Sequence, residues 1–313
     1  MANFYGQYIG FGSVASAAAS IWYGGRGIFG GGYHFPSPQG DVDTIDYVTV
    51  SSTGNATDFG DLTQKREGLS ACTNGSRAIW NNGRDRSPAV LYDTIDYVTV
   101  ASIGNAADFG DTTGARYFGG SCSNGVRGVT GGGINYPGTK YNIIDYVTIA
   151  TIGNSLDFGD LSIAMGYNAA LSDATKGVWG GGSTPVNTME YVTIATIGNV
   201  TDFGNLTVSR GQLATCFSLT RGLFMGGHTG AATSDVVDFM IIASTGDAND
   251  FGNLSGARNA GGALGNTTRG LHTGGYPYSN VIDYFTLDTE GNSTDFGDLT
   301  TPRSGYVAGC SGD

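Results

Sequence analysis

Residues 45–62 have the sequence IDYVTVSSTGNATDFGDL, and five later segments of the chain have a similar sequence. The later copies begin at Ile95, Ile144, Met189, Val237 and Ile282, so that successive copies start 50, 49, 45, 48 and 45 residues apart. In every copy an acidic residue at the second position, Asp46 in the first, precedes the aspartate of DFG by twelve residues. A period of roughly 20–50 residues that recurs this often indicates a repeat architecture.

Each repeat contains four short runs that end in turn-forming residues. Run A is rich in small residues (67–72 in one copy), run B leads into glycines (77–83), run C is YVTV and run D surrounds DFG. The 313 residues include 54 glycines, and only 13% are charged, which favours short strands and tight turns over a helical solenoid. A four-stranded meander of about 50 residues, repeated around an axis, is a propeller blade. We therefore predict an all-β, six-bladed propeller of four-stranded antiparallel blades over residues 21–313.

The repeat region begins and ends with part of a blade, and the two parts together would make one complete blade. A first run B (26–32) precedes any complete unit, and the last unit ends with only a run A (303–310). Pairing these two segments completes the sixth blade and removes two open sheet edges. Residues 13–21, also rich in Ala and Ser, are a competing donor. Residues 1–20 lie outside the repeats, and we predict an N-terminal arm there that could serve as a docking segment.

The charge balance limits the possible partners. The net charge is −12 and the pI is about 4.4, which argues against binding to nucleic acid or to an anionic membrane surface. The N-terminal stretch has no basic residue before its small-residue run, so it does not read as a secretory signal. No run of 18 apolar residues occurs, and we predict no membrane insertion.

Three of the four cysteines share one position of the repeat. Cys72, Cys122 and Cys216 lie six residues after a repeat arginine, where two other copies carry Leu171 and Leu264. A position that alternates between Cys and Leu is predicted to be buried and apolar. Cys310 lies seven residues after its arginine, so its orientation stays open. Disulfide pairing is the weaker alternative, and reduced thiols fit assembly in a cytoplasm.

The DFG motif invites comparison with protein kinases, but six copies of a catalytic motif, without a kinase-type catalytic loop, favour a structural role. We predict that the phenylalanine packs between blades. The aspartate is predicted to accept backbone or arginine hydrogen bonds that hold strand D to the next strand A. One copy has Met165 in place of the arginine. The residues assigned to this structural set are Asp58, Phe59, Asp108, Phe109, Asp157, Phe158, Asp202, Phe203, Asp250, Phe251, Asp295, Phe296, Arg66, Arg116, Arg210, Arg258 and Arg303.

Metal, cofactor and catalytic sites are not expected. The oxygens of Asn55, Asp58 and Asp61 could bind calcium, but their spacing is not that of an EF-hand loop, and turn chemistry explains Gly-Asn equally well. The glycine runs open no helix and so are not dinucleotide loops. His34, His228 and His272 come from different repeats, so that a zinc site or a Ser-His-Asp triad is not indicated.

The connections between runs B and C are the variable part of the repeat. They differ in length and carry aromatic residues, whereas the turns between runs C and D are uniform. Variable loops on a rigid scaffold are where binding usually occurs. The candidate ligand-binding residues, predicted to surround one mouth of the propeller and to contact a sugar or a protein partner, are Tyr33, His34, Phe35, Tyr92, Tyr136, Tyr141, Tyr276 and Tyr278. The alternative is that these side chains only cap the blades.

The repeat also resembles known families. The double glycine after run B, the aromatic residues in runs C and D and the arginine before run A resemble the kelch motif, with Phe59 and its equivalents where kelch repeats usually have Trp. Over residues 21–313 the wording IDYVTIAxxGNxxDFGDLTxxR is similar to repeats in virion structural proteins of marine tailed bacteriophages, particularly those that infect cyanobacteria. The resemblance implies a non-enzymatic tail-fibre, tail-tip or decoration protein, located in the virion and assembled in the host cytoplasm.

The partners that this resemblance implies are other virion proteins and, through the aromatic loops, a host-surface glycan or receptor. Two alternatives stay open from the sequence. One is a propeller-fold polysaccharide hydrolase or lyase, because the fold alone does not decide function. The other is a cellular kelch adaptor, although the chain carries no accompanying interaction domain.

Overall fold

The computed structural model describes residues 24–35, 40–218, 220–303 and 305–312, and it is a six-bladed β-propeller as predicted. Its strands in chain order are β1 (Arg26–Gly30), β2 (Tyr33–His34), β3 (Gly40–Asp41), β4 (Thr44–Thr49), β5 (Thr57–Asp61), β6 (Ser70–Thr73), β7 (Arg77–Asn81), β8 (Arg84–Asp85), β9 (Val90–Leu91), β10 (Thr94–Thr99), β11 (Ala107–Asp111), β12 (Gly120–Ser123), β13 (Arg127–Gly131), β14 (Ile143–Thr148), β15 (Leu156–Asp160), β16 (Ala169–Ser172), β17 (Lys176–Gly180), β18 (Val186–Thr193), β19 (Thr201–Arg210), β20 (Ala214–Phe217), β21 (Arg221–Met225), β22 (Val236–Ile241), β23 (Asn249–Asn253), β24 (Gly262–Gly265), β25 (Arg269–Thr273), β26 (Ser279–Thr286), β27 (Thr294–Arg303) and β28 (Ala308–Gly312).

Each blade is an antiparallel sheet of strands A to D, with A innermost. In the order A-B-C-D, the blades numbered 1 to 6 are β28-β1-β4-β5, β6-β7-β10-β11, β12-β13-β14-β15, β16-β17-β18-β19, β20-β21-β22-β23 and β24-β25-β26-β27. The A strands of neighbouring blades contact one another around the whole circle, and β28 lies between β24 and β6. No helix among the described residues is long and apolar enough to cross a membrane.

The ring closes through the C-terminal strand. β28 pairs antiparallel with β1, with Arg26 opposite Gly312 and Gly30 opposite Ala308. This confirms that the C-terminal segment, rather than residues 13–21, supplies strand A of blade 1 at this position. The competing donor and the predicted arm at 1–20 lie outside the described residues.

Two B–C connections contain strands that the sequence pattern did not predict. In blade 1, β2 and β3 form a hairpin that joins the sheet of blade 6 through a pairing of His34 with Arg303. In blade 2, β8 and β9 form a separate hairpin, with Arg84 opposite Leu91. Strand D, predicted as a short piece, runs on to the repeat arginine in blades 4 and 6, where it ends at Arg210 and Arg303.

The repeated segment, residues 45–62 in the first copy, forms a β-bulge that buries one aromatic ring. Asp46 lies opposite Asp58 and Ile45 opposite Gly60, so Phe59 is the extra residue of the bulge. Its ring is 1% exposed and meets Tyr47 edge-on, with the centroids 6.0 Å apart. The other five blades repeat this edge-on contact between strands C and D.

The turn between strands C and D fastens each blade to the previous one. Gly104 N–H donates to the carbonyl of Phe59 (2.9 Å), and the side-chain oxygen of Asn105 accepts the N–H of Asp61 (3.1 Å). The glycine of DFG makes this contact possible, since Gly60 has φ +147° and a Cβ there would lie 2.5 Å from the carbonyl oxygen of Gly104. The GN turn of one blade thus binds the DFG segment of the previous blade, and we call this contact the GN clasp.

The repeat arginine joins the D–A connection to strand C of the next blade. Arg66 lies 2.8 Å from the carboxylate of Asp96, and both side chains are fully buried. The corresponding pairs are Arg116–Asp145 (2.6 Å), Arg210–Asp238 (2.5 Å), Arg258–Asp283 and Arg303–Asp46 (2.8 Å). The fourth blade has Met165 in place of the arginine, and there Glu190 accepts a hydrogen bond from the hydroxyl of Ser162.

The predicted role of the DFG aspartates was therefore wrong. Asp58, Asp108, Asp157, Asp202, Asp250 and Asp295 are exposed, and the arginine partner is the aspartate twelve residues earlier. The physical reason is the bulge, which turns the phenylalanine inward and leaves the preceding aspartate facing solvent. The prediction for the phenylalanines was correct, since all six are at most 2% exposed and each packs in one cluster with apolar residues of the next blade, as Phe59 does with Trp80 and Val98.

All four cysteines are buried and free, as predicted for the first three. Cys310 faces inward because the last D–A connection is one residue longer than the others. Tyr306 occupies the backbone position that Gly68 has in blade 2, and each lies four residues before a cysteine, Cys310 and Cys72. The extra residue after Arg303 thus restores the register of the strand.

Candidate functional site

The channel along the propeller axis is narrow and lined by small side chains. Its cavity of about 140 Å³ is bounded by the six A strands, mainly by Gly, Ala, Ser, Thr, Cys and Leu. None of the described residues that line it is Asp, Glu, His, Lys or Arg. The charged and aromatic side chains that could contact a ligand lie instead at one end of the channel. They are on the face that carries the D–A and B–C connections, called here the B–C face.

A closed circle of backbone hydrogen bonds surrounds the axis at this end. It is made by the second residue after the repeat arginine in four blades, by the second residue after Met165 in blade 4 and by Tyr306 in blade 1, namely Gly68, Phe118, Tyr167, Gln212, Ala260 and Tyr306. Each N–H donates to the carbonyl of the preceding member, for example Phe118 to Gly68 (2.7 Å), and Gly68 donates to Tyr306 (3.3 Å). All six have positive φ, between 57° and 68°. We call this set the mouth ring.

Three aromatic members of the mouth ring pack against one another over the axis. Phe118 stacks on Tyr167 with centroids 4.2 Å apart and an interplanar angle of 26°, and its centroid is also 4.2 Å from that of Tyr306. Phe118 is 5% exposed. Burial raises the pKa of the Tyr306 phenol above its ordinary value. The aromatic cluster therefore covers much of the mouth, and the pocket remaining there has a volume of about 80 Å³.

A buried carboxylate beside this cluster holds two arginines. Glu67 is fully buried, and its Oε1 accepts the Nε–H of Arg84 at 2.8 Å. Arg86 donates from Nε and Nη2 to the two oxygens of Glu67, both at 2.5 Å. Glu67 pairs with Arg84 through the backbone as well, because the D–A and B–C connections of a blade run side by side. One carboxylate thus orients both guanidinium groups.

Aromatic rings cover the faces of the same two guanidinium groups. Arg84 lies over Tyr117, with 4.3 Å from its Cζ to the ring centroid, and donates to the Tyr117 hydroxyl at 3.0 Å. Arg86 lies over the ring of Tyr33 at 4.1 Å. Stacking and ion pairing together fix side chains that would otherwise be mobile.

Asp41, on the hairpin of blade 1, adds a further carboxyl group to this cluster. It is 7% exposed, and it accepts the backbone N–H of Arg86 at 2.5 Å through Oδ2. Its Oδ1 is buried without a hydrogen-bond partner. Burial raises the pKa of Asp41 from the ordinary value of 3.8 to about 7, and the negative charge of Glu67 acts in the same direction.

A pocket of about 200 Å³ opens beside these arginines. One wall is the β8–β9 hairpin, which contributes Arg84, Asp85, Arg86, Val90 and Leu91. The pocket is also lined by Tyr136 from the B–C connection of blade 3, whose side chain is 65% exposed. We call it the Tyr136 pocket.

The eight predicted aromatic-loop residues form several groups rather than one circle around the mouth. Phe35, Tyr276 and Tyr278 form a patch near the junction of blades 6 and 1. Tyr33 packs under Arg86, and Tyr136 lines its pocket. Tyr141 accepts a hydrogen bond from the amide of Asn135 at 2.6 Å, which places it as a cap within its own loop. The remaining two members are His34, which pairs through its backbone with Gly40 and Arg303, and Tyr92, which is half-buried.

The sequence prediction missed Tyr117, Phe118, Tyr167 and Tyr306, which lie in the D–A connections. It also missed Glu67, Arg84 and Arg86. A signal was present, because the position after the repeat arginine, or after Met165 in blade 4, varies among Glu67, Tyr117, Gly166, Gly211 and Asn259. Likewise, the residue after the double glycine, or after Asn82-Gly83 in blade 2, is Tyr33, Arg84, Ile134, Ser183, His228 or Tyr276. Comparing copies for their differences at these two positions would have located the cluster.

Arg84 and Arg86 differ in their contacts from the lysines and arginines that recur in the repeats. Of the 15 lysines and arginines, five are the repeat arginines already described. Six more begin the B strands, stack on the aromatic residue of strand C and reach a carbonyl of the next blade, as Arg77 does with Tyr97 (4.4 Å) and Ile149 (2.9 Å). The four that remain are Lys65, Arg84, Arg86 and Lys140. Two of these four are therefore held by a single buried carboxylate.

Calcium binding at the GN and DFG segments is not supported by their contacts. The side-chain oxygen of Asn55 accepts the N–H of Asp298 at 3.1 Å, and the equivalent asparagines and Asp247 do the same at the other blade junctions. Within the described ranges, no group of three or more His, Cys, Asp or Glu side chains is placed to hold a metal ion.

No protein-family model and no curated protein matches the chain. The structure establishes the six-bladed propeller, and functional assignment rests on the geometry of the B–C face and on the wording of the repeat.

Proposed function

We propose that the chain is a non-enzymatic structural protein of a tailed-phage particle. In this proposal it is a kelch-like propeller, displayed as a tail-fibre, tail-tip or decoration component, that binds a host-surface glycan through its B–C face. The assignment to a particle is supported by the repeat wording, which is similar to that of virion proteins of marine phages. The binding role rests on one structural observation, the concentration of exposed aromatic side chains on the B–C face.

The aromatic patch supplies the surface that a sugar requires. Phe35 and Tyr278 stack with centroids 3.9 Å apart and planes at 18°, and Tyr276 meets Tyr278 edge-on at 5.6 Å. Tyr276 is 50% exposed and Tyr278 44%. Tyrosine rings offer an apolar face and a hydroxyl at the edge, with few rotatable bonds to order on binding. A pyranose ring has the complementary combination of an apolar face and peripheral hydroxyl groups.

Contacts between neighbouring blades support the B–C face. The GN clasp, the Arg–Asp pairs and the mouth ring connect neighbouring blades on opposite faces of the propeller. A rigid scaffold with variable loops is the usual arrangement for a binding protein. The net charge of −12 is consistent with a partner other than nucleic acid. Contact with other virion proteins is assigned in this proposal to residues 1–20, which lie outside the described residues.

Two measurements test the proposal separately. Mass spectrometry of purified particles should detect the chain in stoichiometric amount, and particles that lack it would overturn the assignment to the virion. Labelled protein should bind host cells or a glycan array, and Tyr276→Ala together with Tyr136→Ala should reduce that binding. Unchanged binding by the double variant would remove the aromatic face from the proposal.

A polysaccharide hydrolase or lyase is the second candidate, and one observation favours it. Asp41 has a pKa raised to about 7 and lies near Glu67, and pairs of carboxyl groups in different protonation states serve general acid–base chemistry. Both oxygens of Glu67 already accept guanidinium N–H groups, and Asp41 is 7% exposed, so neither group is presented to a substrate. Release of reducing ends from polysaccharide by the pure protein, abolished by Asp41→Asn, would establish this activity instead.

A further inference from the structure

The Tyr136 pocket differs from the aromatic patch because it combines one exposed ring with fixed polar groups. Tyr136 lines it together with Arg84, Asp85 and Arg86 of the β8–β9 hairpin. Val90 and Leu91 add an apolar surface to the lining. Binding pockets for small ligands typically combine an apolar lining with a few fixed polar groups in this way.

The polar wall is already ordered before any ligand binds. Arg84 and Arg86 are held by the buried Glu67, at 2.8 and 2.5 Å, and their planes are covered by Tyr117 and Tyr33. Free arginine side chains lose considerable rotamer entropy when they bind a ligand. Here that cost is met during folding, which is the usual way in which preorganisation increases affinity.

The charges around the pocket decide what kind of ligand it accepts. Arg84 and Arg86 contribute two positive charges, and Glu67 and Asp85 contribute two carboxylates. Asp41 is a third carboxyl group beside Arg86. The local balance is thus neutral to slightly negative, and the whole chain carries a net charge of −12. An anionic ligand would gain little here, whereas a neutral ligand with several hydroxyl groups could accept from the guanidinium groups and donate to Asp85.

We infer that the Tyr136 pocket is a subsite for one neutral hexopyranose residue of a surface glycan. The sugar ring stacks on Tyr136, and its hydroxyl groups contact Arg84, Asp85 and Arg86. This inference rests on the proposed glycan-binding function and assigns the ligand class and the place of contact within it. It also gives a function to a charged cluster of the B–C face that the repeat does not explain.

The test uses the full chain and two probe sets on one array, neutral oligosaccharides of glucose, galactose and mannose and acidic oligomers of galacturonate. The wild type should bind members of the neutral set. Tyr136→Ala should weaken that binding at least 10-fold, because the stacking surface is lost. Tyr136→Phe should stay within about 3-fold of the wild type, because it keeps the ring. Tyr136 is 65% exposed, so both variants should fold, and their melting temperatures check this.

Ile197→Ala is the matched control, because Ile197 is 64% exposed, close to Tyr136, but lies in a C–D turn on the opposite face of the propeller and should leave glycan binding unchanged. Tyr276→Ala tests the aromatic patch separately, because Tyr276 does not line this pocket. Glycan binding that is lost in Tyr276→Ala and retained in Tyr136→Ala would overturn the subsite and leave the proposed function standing. Binding to galacturonate oligomers alone would overturn the assignment to a neutral sugar. Binding to no member of either set would overturn the adhesion role itself and the subsite with it.

Discussion

The guanidinium of Arg303 lies 2.8 Å from the carboxylate of Asp46, 257 positions earlier in the chain, and both side chains are fully buried. The same ion pair occurs at four other blade junctions, where it joins consecutive repeats. Here it joins the last D–A connection to the first strand C. Together with the pairing of β28 and β1, it closes the ring.

Removing this arginine should destabilise the closed propeller. We expect Arg303→Met to lower the free energy of unfolding by roughly 3–5 kcal/mol, because it leaves the Asp46 carboxylate buried without its cation. Lys65→Met is the control, since it also removes a positive charge from a D–A connection but at an exposed position. Urea unfolding followed by tryptophan fluorescence measures both. Equal effects of the two substitutions would show that the buried pair contributes nothing specific.

The DFG glycine should be intolerant of any side chain. Gly60→Ala places a Cβ 2.5 Å from the carbonyl of Gly104 and breaks the clasp between blades 1 and 2. Gly54→Ala is a close match, because Gly54 also has a positive φ (159° against 147°) but has no atom within 4 Å of its Cβ position. We expect Gly60→Ala to cost roughly 1–3 kcal/mol more than Gly54→Ala in thermal or urea unfolding. A difference near zero would mean that the junction relaxes without loss.

Stability should depend on pH through Asp41. Its folded-state pKa of about 7 lies above the ordinary value of 3.8, so the folded protein retains a proton that the unfolded chain releases. The contribution is therefore fully present below about pH 4 and is lost as the pH rises through 7. We expect the wild type to lose roughly 1–3 kcal/mol over this range relative to Asp41→Asn, which keeps the acceptor for the N–H of Arg86. Parallel pH profiles of the two proteins would contradict this.

The four cysteines should not react in the folded protein. All four thiols are buried, and burial raises the pKa of Cys72 to about 12, so little thiolate forms at pH 8. A thiol reagent such as Ellman's should detect no fast-reacting group in the native protein and four groups in denaturant. Fewer than four groups in denaturant would indicate a disulfide. A fast group in the native state would show that a blade junction opens readily.

The fold could be predicted from the sequence because its information is repeated. Six copies of one pattern determine the blade number and the strand order, and the half-units at 26–32 and 303–310 make the C-terminal segment one of two candidates for the closing strand. The exchange of roles between Asp58 and Asp46 could not be predicted in the same way. Both aspartates recur in every blade, and only the bulge at Phe59 decides which of them faces inward.

The site was harder to predict than the fold because it depends on residues that do not repeat. Glu67, Arg84 and Arg86 each occur once, and they meet only because a D–A connection runs beside a B–C connection. The aromatic residues were predicted on the correct face, but their grouping depends on tertiary contacts such as the packing of Phe35 on Tyr278. Pattern alone does not specify such contacts.

The mouth ring has an electrostatic consequence. Its six N–H groups follow one another head to tail around a closed circle, so the components of their dipoles in the plane of the ring cancel. A helix end, by contrast, aligns its peptide dipoles and attracts ions. The backbone of the mouth ring therefore has no net dipole across the mouth that could orient a ligand. A preferred orientation within that plane has to come from the side chains at the positions that differ between repeats.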